Sequence, residues 1–241
     1  MTIAVISTNV SCDSAKLLAK ALKGTFINMT HTDKRAFPEF THIFKYGFSP
    51  KIAANYVFNK SKPTSIAIDK IETLSLFQEN GPAIKFTTKL NTALQWIEQG
   101  YIVVARAQIK GANGDGLAYC YTAEEVRNTP AKFWSQYVEH TNEFRINVWR
   151  GKVVSIYDKI QLPTGRFSFK LWQGQEKHPQ LVALVDKVWR AVKLDWCGID
   201  VIRDQQGNLL LLEVNSAPVL YPVTLKKLVK CVKEAMNENT P

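Results

Sequence analysis

The chain has 241 residues, 46% hydrophobic and 22% charged, and its 31 Lys and Arg against 21 Asp and Glu give a formal net charge of +10. This size and apolar content allow a real core, in one compact unit or in two to three small subdomains. No apolar run approaches the length of a membrane span, and no internal repeat or low-complexity segment is present, so a membrane-spanning chain is set aside.

Ile3 to Ile6 reads as a strand and not as a secretory leader, because no basic region precedes it and polar Ser7-Thr8-Asn9 follow at once. Leu17, Leu18, Ala21 and Leu22 recur at helical spacing within Ser14 to Leu22, and Gly24 is expected to close that helix. Thr25 to Asn28 and Thr41 to Tyr46 read as two more strands, the second ended by Gly47. Strand, loop and helix in this order open an α/β unit, expected to be a short N-terminal domain over residues 1–65.

Asp69 to Glu79 reads as a helix on Ile71, Leu74, Leu76 and Phe77, broken by Gly81-Pro82. Thr88 to Gln99 is a second helix, with Gly100 as its cap. The strand Tyr101 to Ala105 then leads into Lys110-Gly111-Ala112-Asn113-Gly114-Asp115-Gly116, and Leu117 to Tyr121 returns from it. Phe133 to Val138, Phe144 to Trp149 and Lys152 to Tyr157 read as strands, the last two joined by a turn at Arg150-Gly151. The following stretch, with Pro163 and Gly165, reads as a loop. Leu181 to Val192 is an amphipathic helix, and Leu225 to Met236 is the last one. Between them, Cys197 to Ile202 and Leu209 to Asn215 form a hairpin around the polar Asp204-Gln205-Gln206-Gly207-Asn208. The expected fold class is α/β in the broad α+β sense.

Cys12, Cys120, Cys197 and Cys231 are far apart with no CxxC spacing. They read as reduced thiols of a cytoplasmic protein, not as a disulfide frame or zinc site. His31, His42, His140 and His178 show no ligand spacing, and Cys197 reads as a core residue, not a nucleophile.

The chemistry concentrates in the hairpin. Glu213 and Asn215 are two apart on an extended chain, so they share a face, and Asp200 lies within cross-strand reach. Three hard oxygen ligands on one face suit Mg²⁺ carrying a nucleotide polyphosphate. The alternative is a surface hairpin with solvated acids. The flanking residues are almost all aliphatic, however, and a carboxylate among them needs a metal or a partner. In the loop, Gly111, Gly114 and Gly116 let backbone N–H groups approach phosphate, although the same composition also makes an ordinary hairpin turn. It is not a Walker loop, since no Gly-Lys-Ser/Thr follows.

The run GIDVIRDQQGNLLLLEVNSAPVL resembles the C-terminal signature of the ATP-grasp carboxylate–amine ligases. The resemblance extends in order from about Asp69 to about Leu220. It implies an ATP-grasp fold with a small subdomain over 66–134 and a large one over 135–241, following the short N-terminal domain. It implies an ADP-forming ligase that joins a carboxylate to an amine through an acyl phosphate. Asp200, Glu213 and Asn215 would hold two Mg²⁺ ions, or Mn²⁺ in their place. Gly111, Asn113, Gly114 and Gly116 would cover the phosphates. Lys70 and Arg106 would reach them, Arg106 standing where many members carry Lys. Gln136, Tyr137 and Val138 match the segment against adenine, and Glu143 the ribose ligand. Lys159, Arg166 and Lys170 match basic residues of peptide-modifying ligases that hold the γ-phosphate and the acyl phosphate, with Lys159 expected to end a strand. Taken singly, Lys70 and Arg106 read equally well as solvated cations, and Glu143 as an acid at a strand start. One departure is Val219 after Pro218, where many relatives have Gly; it bears on the substrate end.

The nearest resemblance is to ligases that add amino acids to a peptide or protein tail. The basic balance favours an acidic partner, either an acidic peptide or tail or a nucleic acid. Ser7-Thr8-Asn9 and Lys45-Tyr46-Gly47 are the exposed-loop candidates for acceptor choice. The alternative reading is a nucleotide- or nucleic-acid-binding protein of the same fold without ligase activity.

Overall fold

The computed structural model describes residues 1–30, 36–48, 50–110, 116–163, 167–172 and 178–238. The chain begins with β1 (Ile3–Ser7), α1 (Asp13–Ala21), β2 (Thr25–Asn28), β3 (His42–Lys45) and β4 (Tyr56–Phe58). These strands form a parallel sheet in the order β2-β1-β3-β4. A parallel sheet is covered on both faces, and every residue of its two central strands is buried. This corrects the placing of Lys45 and Tyr46 in an exposed loop: they are 0% and 1% exposed. Lys45 Nζ instead donates to Pro50 O at 2.8 Å and Ser61 Oγ at 2.7 Å, and burial lowers its pKa to about 8.

At the end of α1, Lys23 rather than Gly24 takes the left-handed conformation, at φ 56°. The Lys23 and Gly24 N–H groups donate back to Lys20 O and Ala19 O, closing the helix. Gly24 answers a different constraint, since a Cβ there would stand 2.4 Å from Ile3 O in the neighbouring strand. Gly100 does cap its helix as expected, at φ 84° with Tyr101 N–H donating to Trp96 O at 2.9 Å.

The middle of the chain adds α2 (Ser61–Ile68), α3 (Lys70–Asn80), β5 (Phe86–Thr87), α4 (Leu90–Glu98), β6 (Val103–Arg106), β7 (Leu117–Cys120), α5 (Ala123–Asn128) and β8 (Phe133–Gln136). Its strands form a small antiparallel sheet, β5-β8-β6-β7, with Ala93 and Trp96 of α4 and Val126 of α5 packed on one face. The remaining elements are β9 (His140–Trp149), β10 (Lys152–Gln161), β11 (Phe167–Leu171), α6 (Pro179–Val192), β12 (Trp196–Asp204), β13 (Leu209–Asn215) and α7 (Pro222–Glu238). They build a larger antiparallel sheet in the order β11-β10-β9-β12-β13. The mixed α/β class expected from the sequence is thus found. No described helix is long and apolar enough to cross a membrane.

Alternation along the larger sheet decides what each face does. Phe144, Ile146 and Val148 of β9 and Ile199 and Val201 of β12 pack under Leu181, Leu184, Val185 and Val188 of α6. The intervening residues, Glu143 and Arg145 on β9 and Asp200 on β12, face the opposite way. A bulge adds to this. Asp200 pairs with Glu213 but Val201 pairs with Leu211, so Leu212 is an extra residue, and Leu212 and Glu213 both reach the open face.

Asn59 fastens the first sheet to the third. Its Oδ1 accepts from Trp196 N–H at 2.8 Å, and its Nδ2 donates to Trp196 O at 3.0 Å and Lys45 O at 3.3 Å. Its own N–H donates to Asp195 Oδ2 at 2.8 Å.

Candidate functional site

Between the open face of the larger sheet and the small sheet lies a cleft of about 580 Å³. Its floor is set by strand register. Tyr157, Arg145, Asp200 and Glu213 are successive partners across β10, β9, β12 and β13, so they form one lateral row. One step along lie Asn147, Gly198 and Asn215, again in register. Gly198 is required here, because a Cβ would stand 2.8 Å from both Arg145 Cδ and Pro218 Cβ.

The floor carries interleaved charges. Arg145 grips Asp200 with two bonds, Nε to Oδ1 and Nη2 to Oδ2, the latter at 2.8 Å. Lys159 Nζ lies 2.5 Å from Glu143 Oε1 and 3.6 Å from Asp200 Oδ2. Lys70, from the first turn of α3, reaches Glu213 Oε2 at 3.2 Å, and Asn215 Nδ2 donates to Glu213 Oε1 at 3.0 Å. Burial alone would raise the Glu213 pKa. Lys70, the Asn215 bond, Arg145 and Lys159 overcome it and hold that carboxyl at about 2. Glu143 goes the other way: burial raises its pKa and the Lys159 ammonium only partly opposes this. Arg145 is pushed further up, because Asp200, Glu213 and Glu143 outweigh the effect of burial.

Arg106 ends β6 on the roof, with Nε 3.3 Å from Ser135 Oγ and its guanidinium 5.6 Å from the Phe133 ring centroid. At the end of the cleft the chain passes from β8 to β9 through Tyr137, Val138 and Glu139. Gln136, Tyr137 and Val138 line it there. Tyr137 N–H is already committed to Ile102 O at 2.8 Å, whereas Val138 N–H has no backbone partner among the described residues. His140 Nδ1 lies 2.9 Å from Val138 O.

The cleft therefore brings together Lys70, Arg106, Gln136, Tyr137, Val138, Glu143, Lys159, Asp200 and Glu213, with Asn215 bonded to the last of these. Gly116 is at the mouth of the hairpin from β6, at φ 74°. Gly111, Asn113, Gly114 and Arg166 lie outside the described residues. Two expectations change. Lys159 does not end its strand, because β10 runs on to Gln161, and Phe167–Leu171 is not loop but an edge strand paired with it. On that strand Phe167 and Phe169 line the cleft, so alternation turns Lys170 away from it, exposed.

The residue that sequence reading passed over is Arg145. Its signal was present: it stands two positions after Glu143 on the same strand, hence on the same face. Phe167, Phe169 and Leu171 carry a similar signal, a period of two across a stretch read as loop. Cys197 is a buried core residue whose thiol is pushed up to about 12 by burial, so it takes no part.

Asp200, Glu213 and the Asn215 amide oxygen form a donor set of hard oxygens that fits Mg²⁺ or Mn²⁺. Among the described residues, no group of three His, Cys, Asp or Glu side chains converges.

Comparison with known proteins identifies the fold and the family. A probable alpha-L-glutamate ligase of Parasynechococcus marenigrum is 28% identical over 183 residues, covering 68% of this chain and 39% of that protein. A D-alanine--D-alanine ligase of Pseudomonas putida is 27% identical over 179 residues, covering 64% of this chain and 56% of that protein. The chain thus spans less than two thirds of these curated relatives. Among solved structures, the ATP-grasp ligase PsnB complexed with minimal precursor, Mg and ADP superposes with a TM-score of 0.72 at 10% identity, over 98% of this chain and 96% of that one. That likeness establishes the fold. Residues 67–234 match the RimK-like ATP-grasp domain, and the chain belongs to that family.

Proposed function

We propose that this protein is an ADP-forming carboxylate–amine ligase of the cytoplasm, with ATP bound in the cleft between the two antiparallel sheets. The observation that carries this is the register-set row Arg145–Asp200–Glu213, with Asn215 beside it and Lys70 and Arg106 near it. Acids for a metal and cations for a polyphosphate converge on one cleft. On this reading residues 1–65 form a short N-terminal domain, 66–134 the lobe over the nucleotide, and 135–241 the lobe that carries the metal site.

The adenine edge meets Gln136 and the backbone of Tyr137 and Val138, where Val138 offers the N–H. Glu143 accepts the ribose hydroxyls. Gly111, Asn113, Gly114 and Gly116 close over the phosphates, and Lys70 and Arg106 bind them. Two Mg²⁺ ions held by Asp200, Glu213 and Asn215 supply neutralisation of charge on the polyphosphate. A substrate carboxylate oxygen attacks the γ-phosphorus, the bond to the β,γ-bridging oxygen breaks, and ADP leaves. Lys159 and Arg166 hold the transferred phosphoryl group, so the protein acts by positioning and electrostatics. The substrate amine then attacks the acyl carbon, inorganic phosphate departs, and the amine gives up a proton to solvent.

The favoured acceptor is an acidic peptide or protein tail. The net charge of +10 supports an acidic acceptor over an uncharged small molecule, and the likeness to the ATP-grasp ligase PsnB complexed with precursor peptide supports a peptide over a nucleic acid. The test is incubation with ATP, a panel of acids and a panel of amines, following ADP and the mass of any new amide. Sustained ADP release over many turnovers only when both partners are present, with a matching loss of water in the product mass, is the expected result. Nucleotide binding without ADP release in any combination would favour a binding protein of the same fold.

A further inference from the structure

We propose that Val219, held in place by Tyr46 and Ser14, is a specificity-determining residue that selects an amine substrate with an apolar side chain beside its reacting nitrogen. This role rests on the cleft being the site of amide formation.

Three observations lead to it. First, the link from β13 to α7 is pinned on both sides of Val219. The Tyr46 hydroxyl donates to Pro218 O, and Leu220 N–H donates to Ser14 Oγ of α1 at 3.0 Å. Tyr46 is itself fixed, because its N–H donates to Ile6 O at 2.8 Å and so continues the parallel sheet. Burial raises the pKa of its phenol, which therefore stays a donor. Gly47 approaches the same link, and a Cβ there would stand 3.0 Å from Ala217 Cβ. Second, the pinning decides which way the side chains point. Ser216, Pro218 and Leu220 are buried, whereas Val219 lines the cleft and is 54% exposed. Third, Val219 stands past the row of acids. Pro218 abuts Gly198, which lies beyond Asp200 on the side away from Tyr137 and Val138. Two residues after Val219, the Tyr221 ring lies 5.7 Å from that of Phe169, which lines the same cleft.

A branched aliphatic side chain offers no hydrogen bond. A charged or polar substrate group laid against Val219 gives up water and gains no partner, whereas an apolar group gains by leaving water. On the favoured reading the carboxylate substrate is an acidic tail drawn to the cations of the cleft, so the substrate that meets Val219 is the amine. The first sheet thus bears on substrate choice without an exposed loop: Tyr46 is a positioning residue that acts through the Pro218 carbonyl.

The test loads the protein with Mg²⁺ and a non-hydrolysable ATP analogue and measures uptake of radiolabelled probes by equilibrium dialysis, with no turnover involved. The probes are leucine methyl ester, glutamate α-methyl ester and N-acetyl-leucine. Leucine methyl ester is expected to bind at least about tenfold more tightly than either of the others. Val219→Ser should abolish its advantage over the glutamate ester, and Val219→Ile should keep it. Tyr46→Phe retains the buried ring and loses the donor. It should lower that advantage about threefold and leave affinity for the ATP analogue unchanged, whereas a merely structural Tyr46 would shift both or neither. Equal uptake of the two esters, uptake of neither by protein that holds the analogue, or a preference that survives Val219→Ser would overturn the proposal and leave the ligase reading standing. Tighter binding of N-acetyl-leucine than of leucine methyl ester would overturn the assignment to the amine. Failure of the ATP analogue to bind would overturn the ligase reading itself.

Discussion

Glu213 is a half-buried acid that stays ionised because cations and an amide surround it, and this has a measurable consequence for stability. Its pKa in the folded protein, about 2, lies below the ordinary 4.5 of a glutamate. Between those values the unfolded chain binds more protons than the folded one. The stabilisation is therefore complete above about pH 4.5 and is lost as pH falls towards 2. In the presence of a chelator, the gap in unfolding free energy between wild type and Glu213→Gln should shrink with falling pH. The limiting slope is about 1.4 kcal/mol per pH unit, readable in urea titrations between pH 6 and about pH 3. A gap that does not change with pH would mean that Glu213 is not held ionised by its neighbours. Glu143 permits a kinetic test. Contacts to ribose would be made alike in ground and transition states, so Glu143→Ala should raise KM for ATP by about tenfold and alter kcat less. An unchanged KM for ATP would reduce Glu143 to a partner of Lys159.

At the scale of elements, the joint between the first and third sheets hangs on one side chain. Asn59→Ala would strip partners from Trp196 N–H, Trp196 O and Lys45 O, all buried, and should cost roughly 3 kcal/mol. A urea midpoint within error of wild type would show that the sheets are held by apolar packing instead. Long or strongly periodic elements were legible in the sequence: β1, β2 and the hairpin of β12 and β13 fall within two residues of where the pattern puts them. Short ones were not. β4 has three residues and α5 six, too few for a period to register. Yet α5 carries a readable start, the capping box of Thr122 and Glu125, whose carboxylate accepts from Thr122 N–H at 3.0 Å. α2 hides for another reason, since Pro63 stands in its first turn and its apolar residues make no clear stripe. Asp200 and Glu213 were legible because type and spacing together restrict what they can do, whereas Lys70 and Glu143 were singled out only by the family resemblance. Arg145 could be placed on a face by spacing, but its bond to Asp200 depends on how β9 pairs with β12, and no local pattern specifies that register.

Over the whole molecule, the excess of basic residues is a statement about partners. If it recruits an acidic tail, KM for that acceptor should climb with salt, because exposed charges are screened beyond a Debye length of about 10 Å at 0.1 M. KM for ATP should move less, since the nucleotide would sit in a closed cleft. A nucleic acid would show the steepest dependence, through counter-ion release. A flat response for every acceptor would remove the net charge from recognition and point to a small-molecule substrate. The central claim, that the row of acids on the larger sheet serves ATP turnover in amide formation, is tested most directly by counting products. Wild-type protein should yield one ADP for each amide formed. Glu213→Gln, shown by circular dichroism to be folded, should lose at least about a thousandfold in rate, because no neighbour replaces that carboxylate. Near-normal ADP and amide formation by folded Glu213→Gln protein would contradict the account.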